Sequence, residues 1–203
     1  MATKSEQKEL THQTILESAA RLVRERGIAG ARVVDVMEGA RLTVGGFYAH
    51  FGSKASLIDA ALRQTGAQLR DTLFARLDEK PAADRAVVIL KRYLSPAHRD
   101  LKSEGCPLPA VVSEIATTAP EHRDVLRGEV EALASGIGAY LPTTGLLSRR
   151  QLALGLVALM YGGLSLARAL RGTELSDEIL RVCRVLGTAA ARAGLNARQK
   201  GPA

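Results

Sequence analysis

An all-α fold follows from three features of the 203-residue chain. Apolar residues recur at i, i+3, i+4 and i+7 along much of its length, the period of one helix face. Alanine, leucine and arginine are abundant and favour helices, while aromatics make up only 3%. Glycine and proline fall between the periodic stretches, at Gly27, Pro81, Pro96, Pro107, Pro120 and Pro142, where they stop or open helices.

The elements follow in order. A first helix over 5–26 buries Ile15, Leu16, Ala19, Leu22 and Val23, and Gly27 stops it. A short second helix over 33–40 buries Val33, Val36, Met37 and Ala40 and turns Asp35 and Glu38 outward. Thr43 stands where an N-cap belongs, and a third helix follows over 44–50. Phe47 and Phe51, four apart, share the face that packs on the first two helices. Gly52-Ser53 breaks that helix, Ser53 can cap the next one, and Lys54 lies in its first turn. Two short helices joined by a tight turn form a helix-turn-helix, the arrangement that lays its second helix in the major groove of DNA.

On that reading the Thr43 hydroxyl closes the helix or touches a phosphate. Tyr48 and His50 point towards the DNA backbone. Lys54 and the free N–H groups of its helix start can hold one phosphate together. Gly45 and Gly46 each cost about 1 kcal/mol against alanine in a helix. Either the helix backbone approaches DNA closely there, or the glycines relieve crowding inside the protein. Neither offers a side-chain donor, so base reading leans on Thr43, Val44 or DNA shape.

A long helix over 53–77, with Leu57, Ile58, Ala61, Leu62, Leu69, Leu73 and Leu77, bridges two domains. Next come a helix over 84–94, a polar loop over 97–105 and a helix over 107–116. Another opens at Pro120, with Leu126, Val130, Leu133, Ile137 and Tyr140 at heptad-like spacing. The last two helices run over 148–170 and 176–193. The first contains 17 uncharged residues, 151–167, a marginal length for a membrane span. Gly155, Gly162, Gly163 and Ser165 within it favour a buried packing helix, and no membrane partner is expected. The pair suits a dimer interface built from Leu152, Leu159, Gly163, Leu166, Ile179, Val182, Cys183, Leu186 and Ala190, a four-helix bundle across a two-fold axis. The middle helices are expected to enclose an apolar pocket. Its candidate walls are Leu90, Tyr93, Leu94, Cys106, Val111, Val112, Ile115, Leu133, Ile137, Leu156, Met160 and Tyr161, each also readable as plain core.

The net charge of +7 is compatible with a nucleic-acid partner. Residues 1–54 carry eight basic and six acidic side chains, so charge alone does not locate a DNA site. Two cysteines, Cys106 and Cys183, make no disulfide framework, and a reduced cytoplasm is the simple expectation. The N-terminal residues lack the apolar stretch of a signal peptide. Gly105-Cys106-Pro107 sets a thiol at a helix N-terminus, where it either senses an oxidant or electrophile or simply caps and packs. Cys183, mid-helix among apolar neighbours, reads as inert. His12, His50, His98 and His122 form no metal-spaced pair, and no nucleophile or phosphate-loop motif is present. No enzyme, cofactor or metal is expected.

The segment 33–40, Thr43, Phe47-Tyr48-Ala49-His50-Phe51 and Gly52-Ser53-Lys54 closely resemble the tetracycline-repressor (TetR) family of bacterial transcriptional regulators. The resemblance covers roughly residues 10–62 closely, and only the order of helices beyond. It implies an all-helical homodimer. Three N-terminal helices would bind a palindromic double-stranded operator, and C-terminal helices would bind an unknown small effector and dimerise. By position, Thr43, Tyr48, His50 and Lys54 would be phosphate contacts, Val44, Gly45 and Gly46 would face bases, and Arg32 joins the DNA-binding set. The chain departs from the family at Arg41, where glycine is usual, and at Gly45, where a longer side chain is common. The implied domains are 1–54 for DNA, 55–195 for effector and dimerisation, and 196–203 as a disordered tail. The expected function is an effector-responsive repressor. A Cys106 thiol sensor and a DNA-binding regulator without an effector are the alternatives.

Overall fold

The computed structural model describes residues 3–142 and 147–196. Among the described residues nine α-helices carry the fold and there is no strand. They are α1 (Lys4–Gly30), α2 (Val33–Gly39), α3 (Lys54–Phe74), α4 (Arg85–Tyr93), α5 (Pro96–Asp100), α6 (Leu108–Thr117), α7 (Arg123–Gly138), α8 (Arg149–Ala169) and α9 (Glu174–Asn196). A 3-10 segment, Val44–Ala49, follows α2, and short 3-10 turns precede α4 and α7. Of the tail expected over 196–203, Asn196 instead closes α9 and the rest lies outside the described residues.

The chain packs as two units. One comprises the residues up to 68 with 102–127, the other 69–101 with the chain from 128 onward. The boundary expected after residue 54 falls inside the first unit, and α3 and α7 each run from one unit into the other.

In the first unit, α1, α2, the 3-10 segment and α3 close around Ile15, Val23, Val36, Met37, Phe47 and Leu57. Val111, Ile115 and Ala119 of the α6 region join the same core. A capping box between Thr3 and Glu6 opens α1. Its expected stop at Gly27 is a kink, with φ 74 and ψ −170, and three more helical residues follow. Glu114 of α6 holds the kink. Its carboxylate accepts the N–H groups of Ile28 at 2.6 Å and Ala29 at 3.2 Å. These donors open the second helical piece, so a negative side chain there suits both their valence and the helix dipole. Arg24, 7% exposed, ties the other end of α6 to α1. It donates to the carbonyls of Gly105 at 3.0 Å and Ser103 at 3.3 Å and to Gln68 at 2.7 Å.

In the second unit, Ser148 and Gln151 form a capping box that opens α8. By length and composition α8 is apolar enough to cross a membrane. Here it buries Ala153, Leu156, Val157, Met160, Leu164 and Ala167 and packs on α9, α4 and α5, as a core helix does. Gly163 permits the close α8–α9 seam. A Cβ there would lie 2.8 Å from Cys183 Sγ and 3.1 Å from Leu94 Cδ2. Gly163 and Cys183, assigned from sequence to a dimer face, therefore meet within one chain.

The 97–105 segment differs from the expected loop. Ser95 caps α5 by accepting the His98 N–H at 3.1 Å, with Pro96 at the first helical position. Ser-Pro thus ends α4 and starts α5 at once. Arg99 locks α5 to α9 through Asp177 at 2.6 Å and the buried Ser176 at 2.9 Å.

Candidate nucleic-acid interface

The turn after α2 is a Schellman motif. The Leu42 N–H donates to the Met37 carbonyl and the Arg41 N–H to the Glu38 carbonyl, both at 2.9 Å. The motif requires a left-handed residue, and Arg41 takes it, with φ 59. Arginine there costs about 1 kcal/mol that glycine would avoid.

Thr43 is extended (φ −79, ψ 146) and takes the N-cap position, but its side chain caps nothing. Its hydroxyl is left for an outside partner. The recognition segment is 3-10 rather than the α-helix expected over 44–50. Gly46 donates to the Thr43 carbonyl at 3.1 Å and His50 to the Phe47 carbonyl at 3.0 Å. Two consecutive glycines weaken a helix this short, and the segment keeps its place through Phe47 instead. Phe47 is fully buried and lies 6.0 Å from the Phe51 ring, which stacks on His12 at 4.4 Å.

A Cβ at Gly45 would meet nothing within 4 Å, and one at Gly46 only Met37 Cε at 3.9 Å. The glycines do not relieve crowding inside the chain. Gly45→Ala is expected to leave the melting temperature equal or slightly higher, because alanine is the better helix former. A drop of more than a few degrees would show that the bare backbone serves the fold.

The face outside Phe47 is open. Tyr48 is 74% exposed and Val44 46%, and Thr43 and Gly45 are exposed beside them. Leu42 and Val34 are exposed large apolar residues of the same motif. The sequence reading passed over both. Their signal was an apolar residue off the buried period, which a search for core positions discards. Such side chains suit thymine methyl groups or sugar edges.

Other candidates are less free. Arg32 is exposed but pairs with Asp35 through both carboxylate oxygens, at 2.6 and 2.8 Å, and this hydrogen bonding holds the Asp35 carboxyl below its ordinary range. His50 is half-buried, its ring 6.1 Å from that of His12, and its Nδ1 is enclosed without a hydrogen-bond partner. Lys54 is half-buried at the start of α3 and borders a cavity of about 320 Å³ shared with Glu114, Glu121 and His122.

The expected pocket residues divide between the units. Val111 and Ile115 belong to the first unit's core, with Val112 half-buried beside them. Cys106 is fully buried there, close to the Arg24 guanidinium. Burial pulls Arg24 below its ordinary value, opposed by Cys106 and Glu104. In the second unit Tyr93, Leu94, Leu133, Ile137, Leu156 and Met160 are buried and Tyr161 is half-buried. There His98 donates from Nδ1 to the Tyr93 carbonyl at 2.6 Å. Burial drives its pKa down to about 4, so the ring is neutral.

Residues 15–61 match the family described as bacterial regulatory proteins, tetR family. The chain is 27% identical over 118 residues to the HTH-type transcriptional repressor DhaR of Mycobacterium sp. strain GP1, covering 58% of this chain and 57% of that protein. It is 40% identical over 62 residues to the HTH-type transcriptional repressor KstR2 of Mycobacterium tuberculosis, covering 30% of this chain and 29% of that one. The matched region thus spans little more than half of one curated relative and under a third of the other. Its fold is similar to that of a TetR transcriptional regulator from Chloroflexus aurantiacus, with a TM-score of 0.75 at 24% identity over 90% of this chain and 94% of that one. The helix-turn-helix geometry and the match over 15–61 agree on a DNA-binding region of the tetR family of bacterial regulatory proteins, and the order of α1 to α9 is that of the TetR fold.

Proposed function

We propose that this protein is a DNA-binding transcriptional repressor and not an enzyme. In this reading it acts in the cytoplasm as a homodimer on a palindromic operator. One observation carries it: the outer face of the helix-turn-helix presents Thr43, whose side chain caps nothing, the exposed Val44, the open Gly45 backbone, and Tyr48, 74% exposed with only its ring edge against Phe47. Thr43, Tyr48 and Lys54 would hold phosphates and fix the register. Val44, Leu42 and the bare Gly45–Gly46 backbone would meet base edges and groove shape. The names of the curated relatives, both repressors, support the sign of regulation.

A dimer would set its two recognition segments about 34–36 Å apart, one helical turn of DNA. A small molecule held in the C-terminal domain would release the operator by binding more tightly to a second arrangement, and only by that difference in affinity. The ties of α6 to α1 through Arg24 and Glu114 give the DNA-reading helices a mechanical partner outside the motif.

The test is selection of duplexes from a random library, followed by affinity measurements over a salt series. The wild-type chain should enrich a palindrome. Tyr48→Ala and Lys54→Ala should each bind about tenfold more weakly on every sequence with an unchanged helical spectrum, and only Lys54→Ala, which removes a cation, should make the salt slope shallower. Failure of the wild-type chain to enrich any site at moderate salt would remove the reading.

A further inference from the structure

Two residues other than glycine take a positive φ among the described residues, Arg41 at 59 and Arg76 at 53. Arg76 has a local use, an ion pair with Glu79 at 2.7 Å. Arg41 makes no hydrogen bond or ion pair through its side chain among the described residues, and it is exposed. It stands in the Schellman turn after α2, where glycine fits best and where a side chain brings a conformational penalty. It is two residues ahead of Thr43, whose hydroxyl is also unused by the fold. Two backbone hydrogen bonds thus fix the turn from which this long cation extends, at the mouth of the segment whose outer face is open. Among the described residues no side-chain contact of Arg41 offsets its backbone conformation.

We propose that Arg41 is a phosphate-binding residue, clamping a DNA phosphodiester at the flank of the groove that the recognition segment enters. A guanidinium offers two parallel donors to the phosphate oxygens, which a lysine ammonium does not. The backbone penalty is then carried for binding. The inference rests on the DNA-binding reading above and adds a contact that the family pattern, with glycine at this place, does not supply.

The experiment compares the full-length wild-type chain with Arg41→Gly, Arg41→Lys and Lys54→Ala. Each is titrated against a duplex selected by the wild type and against a random-sequence duplex, over a salt series, with melting curves alongside. Arg41→Gly should melt about 2–4 °C higher, because the turn is relieved. It should nevertheless bind both duplexes about tenfold more weakly, with the salt slope reduced by about one per protomer. Arg41→Lys should keep most of the slope. An Arg41→Gly chain with unchanged slope overturns the inference, whatever its melting temperature. If it also melts lower, Arg41 serves the C-terminus of α2 instead. If Lys54→Ala weakens binding and Arg41→Gly does not, only this inference falls. If the wild type binds neither duplex, it falls together with the DNA-binding reading.

Discussion

Replacing Gly27 with alanine is expected to cost the first unit about 3 kcal/mol, a large share of the stability of an ordinary domain. Two physical terms add. At φ 74 and ψ −170 the backbone lies in a region nearly restricted to glycine, worth about 1–3 kcal/mol for any side chain. The new Cβ would also sit 2.6 Å from Glu114 Oε1 and 2.9 Å from the Ala110 carbonyl oxygen. The carbonyl belongs to the backbone of α6 and cannot step aside alone. If Glu114 swings away, the Ile28 and Ala29 N–H groups lose their acceptor, at about 1–3 kcal/mol where they are shielded from water. Denaturant unfolding of Gly27→Ala, Glu114→Ala and the double variant checks this. The double variant should lose less than the sum, because one repulsion and one set of hydrogen bonds are shared. A loss below about 0.5 kcal/mol in Gly27→Ala would mean that α6 slides off α1 freely and does not brace it.

The same residues mark the limit of what the sequence makes legible. Gly27 could be read as a helix stop from its neighbours alone, and so could the N-cap position of Thr43 and the shared face of Phe47 and Phe51. These are local facts with a period or a spacing. That Glu114 caps a helical piece 86 residues earlier, or that Arg24 reaches the carbonyl of Gly105, leaves no local trace. Arg24 sits among the apolar positions of α1, and a periodic reading treats it as surface. The 3-10 form of the recognition segment was missed because two glycines lower helix propensity without naming what replaces the helix. The α5 helix was missed because Ser-Pro was read as an ending only, although the same pair is a strong helix start. On the candidate interface, the motif gave the positions. It did not tell which of them the fold itself consumes, such as Arg32 with Asp35 or His50 against His12. Leu42 and Val34 appear on that face only when exposure is measured.

The largest effect on binding is expected outside the helix-turn-helix, from Val185→Glu combined with Leu186→Glu. Both side chains stand on α9 in contact with water, at 61% and 56% exposure, and Leu166, Leu175 and Val182 are exposed large apolar residues of the same pair of helices. Among the described residues nothing in the chain covers this set, and large exposed apolar groupings mark interaction surfaces. A second copy of α8 and α9 would bury it in a two-fold bundle, where each substitution enters twice and close to its symmetry mate. Four carboxylates would then have to leave water without partners, and like charges would face one another across the axis. Because the replaced side chains are exposed, the single chain should fold as before, with unchanged helical content. The wild type should therefore sediment as a dimer and the double variant as a monomer. Its operator affinity should fall at least about 100-fold, since two linked half-site contacts become independent ones. The helix-turn-helix is untouched, so binding to an isolated half-site should persist at its weak level. A double variant that stays dimeric would place the dimer contact elsewhere, and a wild-type chain that is monomeric at micromolar concentration would remove the dimer and leave this apolar face for a different partner.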